Sequence, residues 1–262
     1  MKHVARKRFG QNFLTDKMVL NDIIDAIGPH SGQTMVEIGP GLAAMTALLL
    51  KHLGHMHVVE LDRDLVARLQ QQFPAEKLTI HSGDALKFDY GLIPVPAGQK
   101  LRVVGNLPYN ISSPLLFHLA DFAHLIEDQY FMLQKEVVER MVAAPGSKTY
   151  GRLSVMLQWR YDMTLMFIVP PTAFDPPPQV ESAVVRMIPV ATRMACDGPT
   201  LAAVVMKAFS QRRKVIRNCL AGMFTEQQLT DCGVDPSTRP ETVALAQYVA
   251  LANLLKPVQP AP

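Results

Sequence analysis

Val36-Glu37-Ile38-Gly39-Pro40-Gly41-Leu42-Ala43-Ala44 is a β-type run that passes straight into a G-x-G-x-x-A turn and then into a helical pattern. Glycines at such a turn let the backbone approach a ligand closely, and the helix start offers free N–H groups. Taken singly, the pattern fits NAD, FAD or S-adenosylmethionine, and it also fits a plain strand-to-helix turn.

Outward from this turn, β-type runs alternate with helical patterns. Strands are expected at 34–38, 57–61, 78–81, 101–105 and 129–133, with helices at 43–53, 63–73, 114–122 and 135–143. Alternation of this kind predicts a parallel sheet with helices on both faces. A helix at 17–27 precedes the first strand, with Thr15 or Asp16 as its N-cap. Two more strands, 164–169 and 183–188, are separated only by a Pro-rich loop, so an antiparallel hairpin is expected there. Beyond Pro189 the pattern becomes helical at 201–210, 214–222, 225–231 and 240–255, punctuated by Gly-Pro, Asp-Pro and Arg-Pro breaks. The division expected is an α/β domain over 1–189 and a small all-helical domain over 190–262.

Composition narrows the possible functions. The 262 residues are 48% hydrophobic and 19% charged, which suits a large folded core and argues against wholesale disorder. No apolar run approaches the roughly 18 residues of a membrane span, and the basic N-terminus is not followed by an apolar signal core. Three cysteines, Cys196, Cys219 and Cys232, stand far apart without a C-x-x-C. A disulfide framework or a metal site is therefore not expected, and the reducing cytoplasm is the natural compartment. The net charge of +3 is modest. Its distribution is more informative, with Arg6, Lys7 and Arg8 clustered at one end and Arg212, Arg213 and Lys214 near the other. Such clusters are ordinary solvated faces unless they flank a binding pocket, where they become phosphate contacts.

Three successive strands end in groups suited to a nucleoside-bearing cofactor. The first ends at Gly39. The second ends at Glu60, roughly 20 residues on, where an acid can accept from both ribose hydroxyls. The third is followed by Asp84, which can accept from an adenine amine or simply cap a helix. The fourth ends in Asn106-Leu107-Pro108-Tyr109, and this tetrapeptide selects the reaction. The exocyclic amine of adenine is a poor nucleophile because its lone pair is delocalised into the ring. Acceptors placed around its N–H groups, the Asn106 side-chain oxygen and the Leu107 carbonyl, would localise that lone pair. Pro108 would fix the turn, and Tyr109 would offer an aromatic face for the base. No metal and no strong general base are required if positioning and electrostatics carry the step. The alternative is a tight turn with Tyr109 in the core. Phe174, in the Pro-rich loop, is a second clamp face on a flipped base or else a hydrophobic plug.

Read together, Arg8-Phe9-Gly10-Gln11-Asn12-Phe13-Leu14, VEIGPG, GDAL, NLPY and FDPPPQVES resemble the ribosomal RNA adenine dimethyltransferases. Phe209-Ser210-Gln211-Arg212-Arg213-Lys214 with Asn218 is similar to the second domain of the small-subunit branch of that family. The resemblance implies a Rossmann-like S-adenosylmethionine-dependent methyltransferase sheet, mostly parallel with an antiparallel last strand, acting as a monomer. It implies that Asn12, Leu14, Gly39, Glu60, Asp84 and Asn106 meet the cofactor, and that Asn106, Leu107, Pro108, Tyr109 and Phe174 handle the target base. The partner implied is ribosomal RNA of the small subunit or its precursor, with two adjacent adenosines near its 3′ end as target. The basic clusters would touch RNA phosphate, with steep salt dependence. In one departure, Ala43-Ala44 stand where relatives often carry a further glycine, and little harm is expected from so small a residue. Competing readings are the large-subunit adenine methyltransferase of the macrolide-resistance type, a nucleotide-dependent oxidoreductase, and an RNA-binding assembly factor on a methyltransferase scaffold.

Overall fold

In the computed structural model, described for residues 12–211 and 213–256, the elements run β1 (Phe13–Leu14), α1 (Lys17–Ile27), β2 (Thr34–Ile38), α2 (Ala44–Leu49), β3 (Met56–Glu60), α3 (Arg63–Gln72), β4 (Leu78–Ser82), β5 (Leu101–Asn106), α4 (Ser112–Asp121), β6 (Ile126–Gln134), α5 (Lys135–Met141), α6 (Arg152–Gln158), β7 (Tyr161–Val169), β8 (Phe174–Asp175), β9 (Ser182–Pro189), α7 (Gly198–Ala208), α8 (Ile216–Cys219), α9 (Glu226–Asp231) and α10 (Leu245–Leu255). Seven strands form one sheet in the order β4-β3-β2-β5-β6-β9-β7. The pairs among β4, β3, β2, β5 and β6 are parallel, and β9 lies antiparallel to β6. The expected mostly parallel sheet with an antiparallel closing strand is what forms.

The central strands are largely apolar because helices cover both faces. Met35, Val36, Val58, Val103 and Val104 are buried to 1% exposure or less. Strand order reverses between β2 and β5, since the chain first builds outward to β4 and then returns to the other side of β2. At such a switch point the connections on the two sides diverge and leave a crevice at the carboxyl ends of the strands.

Asp16, rather than Thr15, caps α1, accepting from Met18 N and Val19 N at 2.8 and 3.2 Å. Arg102 ties the far end of that helix to the sheet. Its guanidinium donates to Ile27 O at 2.6 Å and, through two nitrogens, to the Asp128 carboxylate at 2.8 Å. A two-residue sheet escaped the sequence reading: β1 pairs antiparallel with β8, Phe13 opposite Asp175 and Leu14 opposite Phe174. Two residues per strand carry no periodicity by which to recognise them.

The chain clusters into two compact units, 1–138 with 163–189, and 139–162 with 190–262. The linear division at 189 therefore differs from the structure over 139–162. That segment holds α6, a seven-residue helix whose Val155 and Leu157 are fully buried and which packs on α7. It is too short to announce itself by periodicity, and its burial is satisfied only by the later helices. Within this second unit α7 also packs on α10 and α8. Trp159 is buried with the Arg193 guanidinium 4.4 Å from its ring centroid. Among the described residues no helix is long and apolar enough to cross a membrane.

Candidate active site

The carboxyl edge at the switch point opens into a cavity of about 340 Å³, lined by the ends of β2, β3 and β5, the turns after them and after β4, and the segment Asn12–Leu14. Of the residues expected to hold a cofactor, Asn12, Leu14, Gly39, Glu60, Asp84 and Asn106 all line it. Leu107, Pro108 and Tyr109 line it too.

The Gly-rich turn is shaped by its backbone. Gly39 has φ +66°, a left-handed conformation that side chains resist, and its N–H donates to Val59 O at 2.9 Å, joining the turn to β3. Ala43 also has φ 67°, the one described non-glycine residue with positive φ. A Cβ there costs about 1–2 kcal/mol relative to glycine, so Ala43 is locally strained, against the expectation that so small a residue does little harm. Gly105, at the end of β5, is needed for another reason. A Cβ built on it would lie 2.7 Å from Ile38 O and 3.0 Å from a Leu107 methyl. Only hydrogen at this position lets β5 end so close to the β2 turn.

The acids of the wall carry a distinctive electrostatics. Glu60 is 7% exposed. Burial pushes its carboxyl pKa up, while backbone N–H groups of Asp62, Gly41 and Leu61 hold it down, the Asp62 N–H at 2.8 Å. Asp84 accepts from Leu86 N at 3.0 Å in a turn from which no helix starts, so it lines the wall without capping a helix. Glu37 was quoted in the turn motif but not picked out as a site residue. It lines the cavity at 2% exposure and accepts from Thr46 Oγ1 at 2.6 Å. Burial is the main cause that raises its pKa to about 7, with the Thr46 hydrogen bond opposing and the Glu60 charge adding. The signal that could have found it is an acid set among Met35, Val36 and Ile38 in a strand buried on both faces.

Glu37, Glu60, Asp62 and Asp84 all contribute to the lining, and no lysine, arginine or histidine does so among the described residues. Most of the remaining wall is apolar, with Leu20, Ile23, Ile38, Leu61 and Leu65 among its members, and Asn12, Asn106, Tyr109 and Asn110 add neutral polar groups. Such a site favours a ligand that has an apolar body, hydroxyls to donate and a net positive charge. It disfavours a pyrophosphate.

The Asn106–Tyr109 turn is held from several directions. Leu107 N donates to Met132 O at 3.1 Å, Ile111 N to Pro108 O at 3.2 Å, and Ser112 Oγ to Tyr109 O at 3.1 Å. Asn106 Nδ2 donates to Asn12 O at 3.1 Å. A carbonyl can only accept, so the amide nitrogen must face Asn12, and the side-chain oxygen is turned the other way as an acceptor. The Tyr109 hydroxyl hydrogen-bonds the Ser182 hydroxyl at 2.8 Å, and burial raises its pKa.

Phe174 is not brought to the cavity. At 5% exposure it belongs, as part of the β1–β8 pair, to the core cluster with Leu14, Leu20, Ile23 and Val184. The hydrophobic-plug alternative matches this placement, because pairing with Leu14 turns the ring inward. Arg6, Lys7, Arg8 and Arg212 lie outside the described residues. Arg213 and Lys214 are exposed between α7 and α8 in the second unit.

The family model for ribosomal RNA adenine dimethylase matches residues 2–257. The chain belongs to that family. A ribosomal RNA small subunit methyltransferase A from Herminiimonas arsenicoxydans is 73% identical over 97% of this chain and all of the relative, and one from Janthinobacterium sp. (strain Marseille) is 72% identical with the same coverage. Among solved structures, a dimethyladenosine transferase from Plasmodium falciparum superposes with a TM-score of 0.76 at 23% identity, covering 91% of this chain and 95% of that one. The 23S rRNA methyltransferase ErmE superposes at 0.72 and 20% identity, covering 92% and 98%. These two likenesses establish the methyltransferase fold. Family membership makes the chain an rRNA adenine methyltransferase and removes the oxidoreductase reading, for which the anionic wall is also unsuited.

Proposed function

We propose that this chain transfers methyl groups from S-adenosylmethionine to N6 of two adjacent adenosines near the 3′ end of small-subunit ribosomal RNA, late in assembly of that subunit. It works as a cytoplasmic monomer. The observation that carries the reading is the Asn106–Tyr109 turn on a cavity whose lining, among the described residues, holds four acidic side chains and no basic one. The choice of the small subunit is supported by the relatives at 72–73% identity, both named small subunit methyltransferase A.

The lining residues fit the cofactor: Glu60 would accept from its ribose, Asp84 from its adenine amine, and the acidic wall suits its net positive charge. When bound, S-adenosylmethionine supplies an electrophilic methyl group on a sulfonium. The chain does the rest by positioning. The Asn106 side-chain oxygen and the Leu107 carbonyl accept from the N–H groups of the target amine, which localises its lone pair. Tyr109 stacks on the extruded base, a contact worth roughly 1–3 kcal/mol. The proton leaves after the nitrogen has become cationic, so a neutral turn of acceptors suffices. Tyr109 is the platform for the base in this reading, and Phe174, buried in the core cluster, would reach the base only if its ring left the core. Arg213 and Lys214, with Arg6, Lys7, Arg8 and Arg212, contact RNA phosphate, and the helical unit over 190–262 with 139–162 serves as the RNA-binding domain.

The test is transfer of labelled methyl groups to separated small and large ribosomal subunits from a strain lacking the modification, with Asn106→Ala in parallel. Label in small-subunit adenosine that vanishes in the variant is the expected result. Label only in the large subunit would move the chain to the resistance-type branch, and label on neither would refute the substrate.

A further inference from the structure

Tyr109 is half-buried, and its hydroxyl contacts Ser182, whose side chain lies wholly inside the protein. Ser182 opens β9 directly after the Pro-rich loop and pairs with Gln134 at the end of β6. One step earlier, Lys135 N donates to Glu181 O at 3.0 Å and Lys135 Nζ pairs with the Glu181 carboxylate at 2.7 Å. The serine is thus mounted where β6 and β9 are tied by both backbone and side chain, which makes it a rigid post. Tyr109 stands on a turn whose backbone is fixed by the Met132 and Ser112 contacts. Those contacts place its Cα but leave rotation about χ1 and χ2. The hydroxyl at the ring's far end is a further handle by which its plane can be set.

We propose that Ser182 is a positioning residue for methyl transfer, holding the Tyr109 ring in the plane on which the target adenine stacks. The proposal rests on the reading that Tyr109 carries the target base. A stacking platform is useful only if its plane is fixed before the base arrives, because a ring that must be ordered on binding loses rotamer entropy at that moment.

The test is a double-mutant cycle of Ser182→Ala and Tyr109→Phe, read as kcat on small subunits and as cofactor affinity by calorimetry. Each single change removes the same hydrogen bond and keeps the ring, so each should lower kcat about five- to tenfold and leave cofactor affinity within about twofold. The combined variant should lose no more than either alone, because the shared bond can be lost only once. Multiplying losses, or an unchanged kcat in both single variants, would overturn the proposal. Tyr109→Phe does not touch β9, so it still decides the matter if Ser182→Ala fails to fold. Tyr109→Ala separates the two readings. Retained turnover there would remove Tyr109 from the base site altogether, whereas loss of turnover there with intact activity in the single variants would refute only the role of Ser182.

Discussion

Asn106 Nδ2 donates to the main-chain carbonyl of Asn12 at 3.1 Å, joining the end of β5 to the segment that precedes β1. The bond settles which end of the amide faces the open cavity. Asn106→Asp keeps the shape but removes the donor, so the side chain loses its tether and sets a like charge among the wall acids. We expect a loss of about 10²–10³ in kcat with the protein folded, checked by single-turnover methyl transfer alongside circular dichroism.

Glu37 lowers stability as pH rises. Its folded pKa of about 7 lies above the ordinary 4.5, so the neutral carboxyl favours the fold. That contribution is complete below about pH 4.5 and lost as pH climbs to about 7. Glu37→Gln should abolish this slope, and chemical denaturation at pH 5 and pH 8 would reveal it. A cationic cofactor favours the ionised carboxylate. Its affinity for the unaltered protein should therefore rise between pH 6 and about 8 with release of a proton, measurable by calorimetry in buffers of different ionisation heat.

His57 acts in the opposite direction. It is 5% exposed on β3, its Nδ1 lies 3.2 Å from His81 Nε2, and the His55 ring centroid is 4.8 Å away. Burial first, and then the two neighbouring imidazoles, lower its pKa to about 4. A depressed histidine stabilises the fold fully above about pH 6.5, and that stability is lost as pH falls toward 4. Melting temperatures of His57→Gln should fall less steeply than those of the unaltered protein across this window. Parallel curves would discount the cluster.

Gly105→Ala places a methyl group 2.7 Å from Ile38 O, a backbone atom that cannot swing aside. We expect destabilisation of about 1–3 kcal/mol and weakened cofactor affinity, because the strand end that carries Asn106 must shift. Urea denaturation and cofactor titration on the same sample would check both.

Arg213→Ala with Lys214→Ala should leave cofactor affinity unchanged and flatten the salt dependence of RNA binding. Two phosphate contacts correspond to about 1.4–1.8 in the slope of log K against log salt. An unchanged slope would remove this exposed pair from the RNA interface.

The sequence by itself determined the sheet and its carboxyl edge. The alternation of runs, the Gly39 turn, Glu60, Asp84 and the Asn106–Tyr109 turn each stand at a strand end, and strand ends of a parallel sheet meet on one side whatever the details of packing. The helix boundary at Lys17–Ile27 was legible for a similar local reason, since an aspartate cap and a 3.6-residue apolar period are written within one segment. Tertiary structure alone decided the rest. Phe174 reads as a clamp or as a hydrophobic plug, and its place in the core cluster beside the Leu14 pairing is fixed by tertiary contacts alone. Residues 139–162 read as part of the first domain until α6 finds its buried partner in α7. Glu37 becomes a group that titrates near pH 7 only when helices exclude water from β2, and Ser182 meets Tyr109 only when β9 inserts beside β6. Each of these depends on contacts between residues far apart in the chain, where local propensity and periodicity carry no information and burial does.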